Sequence, residues 1–217
     1  MKTKTVNLYA FDELSDKAKE KARDWFRELL YQNENDWENV FEDARMCGES
    51  MGIHIDENMR KWVNAKTGKT GTSTSDAIYF SGFSSQGDGA CFDGTYRYVE
   101  SAEKAMRDWA PLDKELHRIA AALDAIQAQN GNSLTATMKQ RGHYLHSGCM
   151  TVDVERTDGE DMTKDAEEAV TQLMRDFADW IYGMLEKDYE YQQSDEHIDE
   201  CLTTKAYTFL ETGKRED

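Results

Sequence analysis

Three glycines, Gly82, Gly87 and Gly89, and one aspartate, Asp88, stand between two aromatic segments in the stretch from Tyr79 to Phe92. Glycine allows positive φ and lets backbone approach a ligand closely. Successive backbone N–H groups in such a loop can form a concave nest for an anion. Ser84, Ser85, Gln86, Gly87, Asp88 and Gly89 are therefore the candidate ligand-binding residues, and a nucleotide or another small phosphate is the ligand this chemistry suits. The same Gly-Asp-Gly run is also ordinary hairpin-turn chemistry.

His143, His146 and Cys149 follow at three-residue steps. With Cys91 they could offer zinc four ligands if two hairpins pair. Residues at odd spacing on a strand face opposite ways, so this set suits a turn, and loop histidines are the plainer reading. No metal and no cofactor is expected. Gly68-Lys69-Thr70 matches the tail of a phosphate-binding P-loop. The glycine that motif needs five residues earlier is Val63, so a flexible basic loop is expected there. Asp88, Asp93, Asp153 and Glu155 lie on or beside strands, where paired carboxylates do acid–base work or hold Mg2+. Water-facing strands carry such residues routinely, and no catalytic residue is assigned.

Between Glu160 and Glu200 there are 14 Asp or Glu against three Lys or Arg. Glu167, Glu168, Asp176, Asp179 and Glu186 are the candidate partner contacts. A rigid array of carboxylates can imitate the phosphates of DNA and occupy a basic cleft. A solvated helix face is the blander reading.

These residues need elements to hold them. Val6 to Phe11 begins with the alternation of a strand. Ser15 and Asp16 open a helix whose inner residues include Ala18, Ala22, Trp25 and Phe26, and Asn33 and Asn35 break it. Asp36 to Met51 is a second helix, ended by Gly52. Ile53 to Ile55 is a short strand, Asn64 to Asp76 an exposed loop or loose hairpin, and Ala77 to Phe83 and Ala90 to Val99 aromatic strands. Ser101 starts one helix, and Pro111 the next, which carries Leu112, Leu116, Ile119, Ala120, Leu123 and Ile126 inward. Leu134 to Gln140 and Cys149 to Glu155 are strands. A long helix from about Thr163 to Tyr189 bears the stripe Val170, Leu173, Met174, Phe177, Ile181 and Leu185. A short helix near Asp195 to Cys201 and a strand at Tyr207 to Leu210 follow. Strands in groups with helices between them predict an α+β fold: an antiparallel sheet built from hairpins and packed by amphipathic helices. No repeat or proline-rich linker appears, so one domain over 1–217 is expected.

The chain has 217 residues and a net charge of -17, with 43 Asp and Glu against 26 Lys and Arg. Binding a polyanion normally takes clustered Lys and Arg. Direct nucleic-acid binding is therefore disfavoured unless a metal or a local basic patch intervenes, and a basic host protein is the favoured partner. No run is apolar for the roughly 18 residues a membrane span needs, and the first residues do not form a signal peptide. A cytoplasmic protein with no membrane partner is expected. Its four cysteines, without a Cys-x-x-Cys pair, then read as free thiols.

Several segments carry a resemblance: Tyr9 to Ala22; Phe80-Ser81-Gly82-Phe83 with Ser85-Gln86-Gly87-Asp88-Gly89-Ala90 and Phe92; His146-Ser147-Gly148; and Leu185 to Tyr191 with Ser194-Asp195-Glu196. On these the chain resembles a group of uncharacterised bacteriophage and prophage accessory proteins, over most of its length. The resemblance implies a phage protein acting in the cytoplasm of a bacterial host, and brings no activity or catalytic residues. The leading expectation is a binder and inhibitor of a host defence macromolecule, a counter-defence role of the anti-CRISPR or DNA-mimic kind. The alternative is an enzyme or binding protein for a nucleotide or other small phosphate at Ser84–Gly89.

Overall fold

The computed structural model describes residues 6–32 and 37–215. It opens with β1 (Tyr9–Ala10), a 3-10 turn at Phe11–Glu13, α1 (Asp16–Gln32) and α2 (Glu38–Ser50). Six strands follow: β2 (Ile53–Ile55), β3 (Glu57–Val63), β4 (Thr70–Asp76), β5 (Ile78–Phe80), β6 (Ala90–Phe92) and β7 (Gly94–Arg97). Then come α3 (Ala102–Trp109), α4 (Lys114–Gln129), β8 (Leu134–Gln140), β9 (Met150–Arg156), α5 (Lys164–Gln193), α6 (Asp195–Thr204) and β10 (Thr208–Phe209). All the strand pairs are antiparallel, in one four-stranded sheet of order β2-β7-β8-β9 and three two-stranded ladders, β1-β10, β3-β4 and β5-β6. The fold is the expected α+β type, with hairpin-built sheets.

Local differences have local causes. The first strand shrinks to two residues because its partner β10 is only two residues long. The helix stop expected at Asn33 and Asn35 lies outside the described residues. Leu112, expected in the core, is 91% exposed. Its helix starts later, at Lys114, where the Asp113 carboxylate accepts from the N–H groups of Glu115 and Leu116. Pro111 stands in the turn before that cap. β3 was not expected, because its charged and exposed residues carry no buried alternation.

The chain divides into two compact units, Met1–Trp37 with Glu186–Asp217, and Glu38–Leu185. Composition favours one domain because no linker marks this division: one boundary falls inside α5. The first unit buries Phe11, Leu14, Ala18, Ala22 and Phe26 against Ile198 and Leu202 of α6 and Phe209 of β10. Trp25 packs edge-on to Tyr207 and Phe209, with ring centroids 5.4 and 5.8 Å away. The Arg23 guanidinium donates through Nε and Nη2 to the two oxygens of Asp199, both at 2.7 Å. This two-pronged bond, the larger cause, holds the Arg23 pKa above its ordinary value. Gly213, at φ +80°, brings its backbone so close to the Ala18 carbonyl that a Cβ there would lie 2.0 Å from the oxygen.

In the second unit the apolar stripes of the helices are buried: Leu116, Ile119, Ala120 and Leu123 on α4, and Val170, Leu173, Met174, Phe177, Ile181 and Leu185 on α5. Phe92 of β6 meets Phe177 edge-on at 5.7 Å. Gln127 is fully buried yet satisfied: its Nε2 donates to Tyr96 Oη (3.0 Å) and to the Leu134 carbonyl (2.7 Å), and its Oε1 accepts from Leu134 N (3.1 Å). It ties the end of α4 to the start of β8. Burial pushes the Tyr96 phenol up to about 12.

Between β2 and β7 the chain leaves the four-stranded sheet for two successive hairpins, β3-β4 and β5-β6. Its exit, passage and return meet at one point. Asp56 N donates to the Asp93 carbonyl (2.9 Å), Asp93 N to the Ala77 carbonyl (2.9 Å), and Ala77 N to the Asp56 carbonyl (2.7 Å). Lys139 Nζ of β8 bridges the carboxylates of Asp56 (2.7 Å) and Asp93 (3.5 Å). Asp93 also accepts from Gln140 N at 2.6 Å. Asp93 breaks what reads in sequence as one strand, Ala90 to Val99, into β6 and β7. Asp93→Ala leaves that amide without its acceptor and is expected to destabilise the second unit by about 2 kcal/mol. Lys139→Met, which removes the water-screened pairs with both carboxylates, is expected to cost less, about 1 kcal/mol. Urea unfolding of the two variants checks the order.

Candidate functional site

The glycine-rich segment joins β5 to β6 in the register Ile78↔Phe92, Tyr79↔Cys91, Phe80↔Ala90. Ser84, Ser85, Gln86 and Gly87 are exposed, and Gly89 is buried. Two amides of the expected nest are taken up by the chain itself. The Asp88 carboxylate accepts from Ser84 N (3.0 Å) and Ser85 N (2.7 Å), and Asp88 N donates back to the Ser85 carbonyl (3.1 Å). Gly87 at φ +95° makes this tight return possible. The Ser85 amide bond is the larger cause, with the Ser84 amide, that holds the Asp88 carboxyl below its ordinary value. An incoming phosphate would meet these two amides already bonded, beside a fixed negative charge.

The loop is fastened on both sides. Tyr182 Oη of α5 donates to the Gly82 carbonyl (2.9 Å), and Phe83 lies between Phe80 and Tyr182 with ring centroids 6.0 and 5.6 Å away. Gly89 rests on the His146 segment: a Cβ at 89 would sit 2.5 Å from His146 Cβ. The loop and His146 are thus brought together, as backbone packing. His143 is exposed and meets Tyr144 edge-on at 5.5 Å. Among the described residues no group of three or more His, Cys, Asp or Glu is arranged to hold a metal ion.

His146 Nδ1 accepts from Gly148 N (3.1 Å), and its Nε2 faces Cys149 Sγ at 3.3 Å. The backbone bond keeps Nδ1 bare, so in the neutral ring the proton sits on Nε2 and points at the sulfur. His146 is therefore a donor to Cys149 and not placed to take its proton. The four cysteines are free, and burial pushes the Cys47 and Cys91 thiols up to about 12.

The acidic residues of α5 separate by position. Glu167, Glu168 and Asp179 are exposed. Glu168 and Asp179, eleven residues apart, lie about three turns along one face. The Asp176 side chain, 16% exposed, is held by Arg118 and by Gln172 Nε2 (2.7 Å), so it is committed internally. Glu186 is half-buried and falls in the first unit. Asp195 and Asp199 of α6 are paired with Arg27 and Arg23. Of the five candidate contacts, Glu167, Glu168 and Asp179 are thus the exposed ones, all on α5 in the second unit.

Beside it lies a feature the sequence did not announce. A groove of about 800 Å3 runs between α5, with Lys164, Glu167, Glu168, Thr171 and Arg175, and residues 148–152 of β9 and its approach. β9 is an edge of the four-stranded sheet, and an edge strand offers unpaired peptide groups. Arg175 Nε is buried and meets no acceptor among the described residues.

The architecture is antiparallel α+β, with the groove lying between the charged helix α5 and the edge strand β9. The family model described as "Domain of unknown function (DUF8835)" matches residues 37–195, and the chain belongs to that family. No curated protein and no solved structure matches it. No helix among the described residues is long and apolar enough to cross a membrane.

Asp88, with its pKa held below the ordinary carboxyl value, stabilises the folded loop above the carboxyl's unfolded value and loses that effect as pH falls through the depressed one. Amide exchange at Ser84 and Ser85 should therefore stay protected at neutral pH, and the loop should loosen only in acid below the ordinary carboxyl range. Asp88→Asn should lose protection at both amides already at neutral pH. Equal protection in the variant would show that the carboxylate does not order the loop.

Proposed function

We propose that this protein is a bacteriophage accessory protein that acts by binding. It presents the free carboxylates of α5 to a positively charged host macromolecule, a nucleic-acid-binding defence complex in the bacterial cytoplasm, and so blocks it. The observation that carries this reading is the position of Glu167, Glu168 and Asp179: exposed, on one rigid helix, with Glu167 and Glu168 lining the groove beside the open edge of β9.

Three physical points support it. A carboxylate already bonded within its own fold gives little to a partner, and these three are solvated; Glu168 has only an exposed, easily exchanged contact with Lys164 at 3.3 Å. A helix fixes the backbone from which these side chains project, so on binding only their rotamers, and not the backbone, remain to be ordered. The neighbouring strand edge can accept an extended segment of the partner as an added strand, whose basic side chains would then meet Glu167 and Glu168. The resemblance to phage and prophage accessory proteins supplies the setting. The phosphate-ligand reading of Ser84–Gly89 has less support, because Asp88 occupies the amides that such a ligand would use.

The test is co-purification of the tagged chain from bacterial lysate at about 0.1 M and about 1 M salt, between which the screening length falls from about 10 Å to about 3 Å. A nucleic-acid-binding protein should be retained at low salt and released at high salt. The triple reversal Glu167→Lys, Glu168→Lys, Asp179→Lys should retain at least about tenfold less of it, since like charges facing each other repel. Equal recovery with the reversed helix would remove α5 as the contact surface.

A further inference from the structure

The β3-β4 ladder is a two-stranded ribbon of seven paired positions, from Glu57↔Asp76 to Val63↔Thr70. Residues 59–70 are all exposed. Between Asn58 and Ser75 stand Arg60, Lys61, Lys66 and Lys69 and not one of the chain's 43 acidic residues. Beyond the acidic pair Glu57 and Asp76 at its base, the ribbon carries only positive charge, a local reversal of sign on a chain of net charge -17.

Its register sorts the side chains. Arg60 and Trp62 share one face with the cross-strand residues Ser73 and Gly71. Because residue 71 has no side chain, the Trp62 indole lies across it: a Cβ at Gly71 would come within 2.5 Å of Trp62 Cζ2 and 2.7 Å of Cε2. One side of the ring rests on backbone, and the residue is still 46% exposed. The tip between the strands is a built turn. The Asn64 side chain accepts from the N–H groups of Lys66 and Thr67, both at 3.0 Å, and Gly68 takes φ +67°. That turn sets Lys66 and Lys69 at the distal end.

We infer that the β3-β4 ribbon is a single-stranded nucleic-acid-binding arm. Trp62 stacks a base, while Arg60 on the same face and Lys66 and Lys69 at the tip meet the phosphates. An indole held flat with a solvent-facing side beside cations is the combination that binds single strands without regard to sequence. An acidic protein surface would use the cations and leave the indole idle. The overall negative charge does not forbid this. Seven residues at about 3.3 Å each set the tip roughly 20 Å from the ribbon's base, while at 0.1 M salt the field of exposed charges fades over about 10 Å. The arm is independent of the α5 reading and uses none of its residues.

The experiment is fluorescence anisotropy of a labelled oligodeoxythymidine strand titrated with the full chain at about 0.1 M salt. A duplex of equal length serves as comparison, and thermal unfolding confirms that each variant keeps its fold. Wild type should bind the single strand more tightly than the duplex. Trp62→Ala should weaken binding about tenfold, and Trp62→Phe should retain most of it. Gly71→Val should weaken it by pushing the indole off the ribbon although the tryptophan remains. Lys66→Ser with Lys69→Ser should lower the slope of log affinity against log salt by about 1.4. The α5 triple reversal should not weaken binding, which separates this arm from the α5 surface. The proposal is overturned by any of three results: no anisotropy change; binding that Trp62→Ala leaves intact, with single strand and duplex bound alike; or hairpin variants that abolish only self-association of the chain.

Discussion

Three peptide groups, at Asp56, Ala77 and Asp93, bond to one another in a closed ring where the chain leaves the four-stranded sheet and comes back to it. A strand that ends inside a fold leaves amides and carbonyls that must find partners. Here the ends of several strands satisfy each other. The arrangement gathers carboxylates at one point, and Lys139 from the neighbouring strand offsets them, while Asp93 takes the Gln140 amide as well. Both hairpins spring from this ring. The basic ribbon β3-β4 is bounded by Asp56 and Ala77, and the glycine loop on β5-β6 by Ala77 and Asp93. Lys139 is held protonated above its ordinary value, first by Asp56. The direction of each hairpin is therefore set by backbone bonds, with the charges as reinforcement.

The glycine loop shows how a feature that resembles a ligand site becomes scaffolding. Asp88 supplies the anion for its own nest, Gly89 admits the His146 backbone, and Tyr182 and Phe83 tie the outer turn to α5. Two of its three glycines have a geometric duty: Gly87 for its positive φ, Gly89 for close packing. His146 is likewise absorbed, its Nδ1 spent on Gly148. Of these groups, Tyr182 and Phe83 hold the loop against α5, the helix that carries Glu167, Glu168 and Asp179.

Much of the fold was legible because the pattern of burial is periodic. The stripe from Val170 to Leu185 on α5, the inner face of α4 after Leu116, and the strands Leu134 to Gln140 and Ile53 to Ile55 follow from spacing alone. Three things were not legible. Strand β3 is exposed on both faces, so no alternation of burial marks it. Its signal was instead compositional: a tryptophan opposite a glycine in a run with four cations and no acid. The break at Asp93 is a three-body backbone contact between residues far apart in sequence. The partition of acidic residues into free and committed depends on which arginine lies nearby: Asp176 meets Arg118 and Asp199 meets Arg23, pairings separated by dozens of residues. The candidate contacts on α5 were named from density of charge, and density cannot tell a solvated carboxylate from a bonded one.

The sign of the surface is accordingly a matter of location. Averaged over the chain, the excess of carboxylates argues against polyanions, and that argument treats charge as spread evenly. Screening makes it local: at physiological ionic strength a charge is felt over about 8 Å, less than half the length of a seven-residue ribbon. An acidic helix and a basic arm in the same unit then act on different neighbours without cancelling. A host complex that grips nucleic acid presents both signs at once, positive protein walls around a negative strand. Under the proposed reading, the carboxylates on α5 would face the protein walls of such a target, and the indole among cations on the ribbon its strand. Neither surface needs a cavity or a catalytic group to do so.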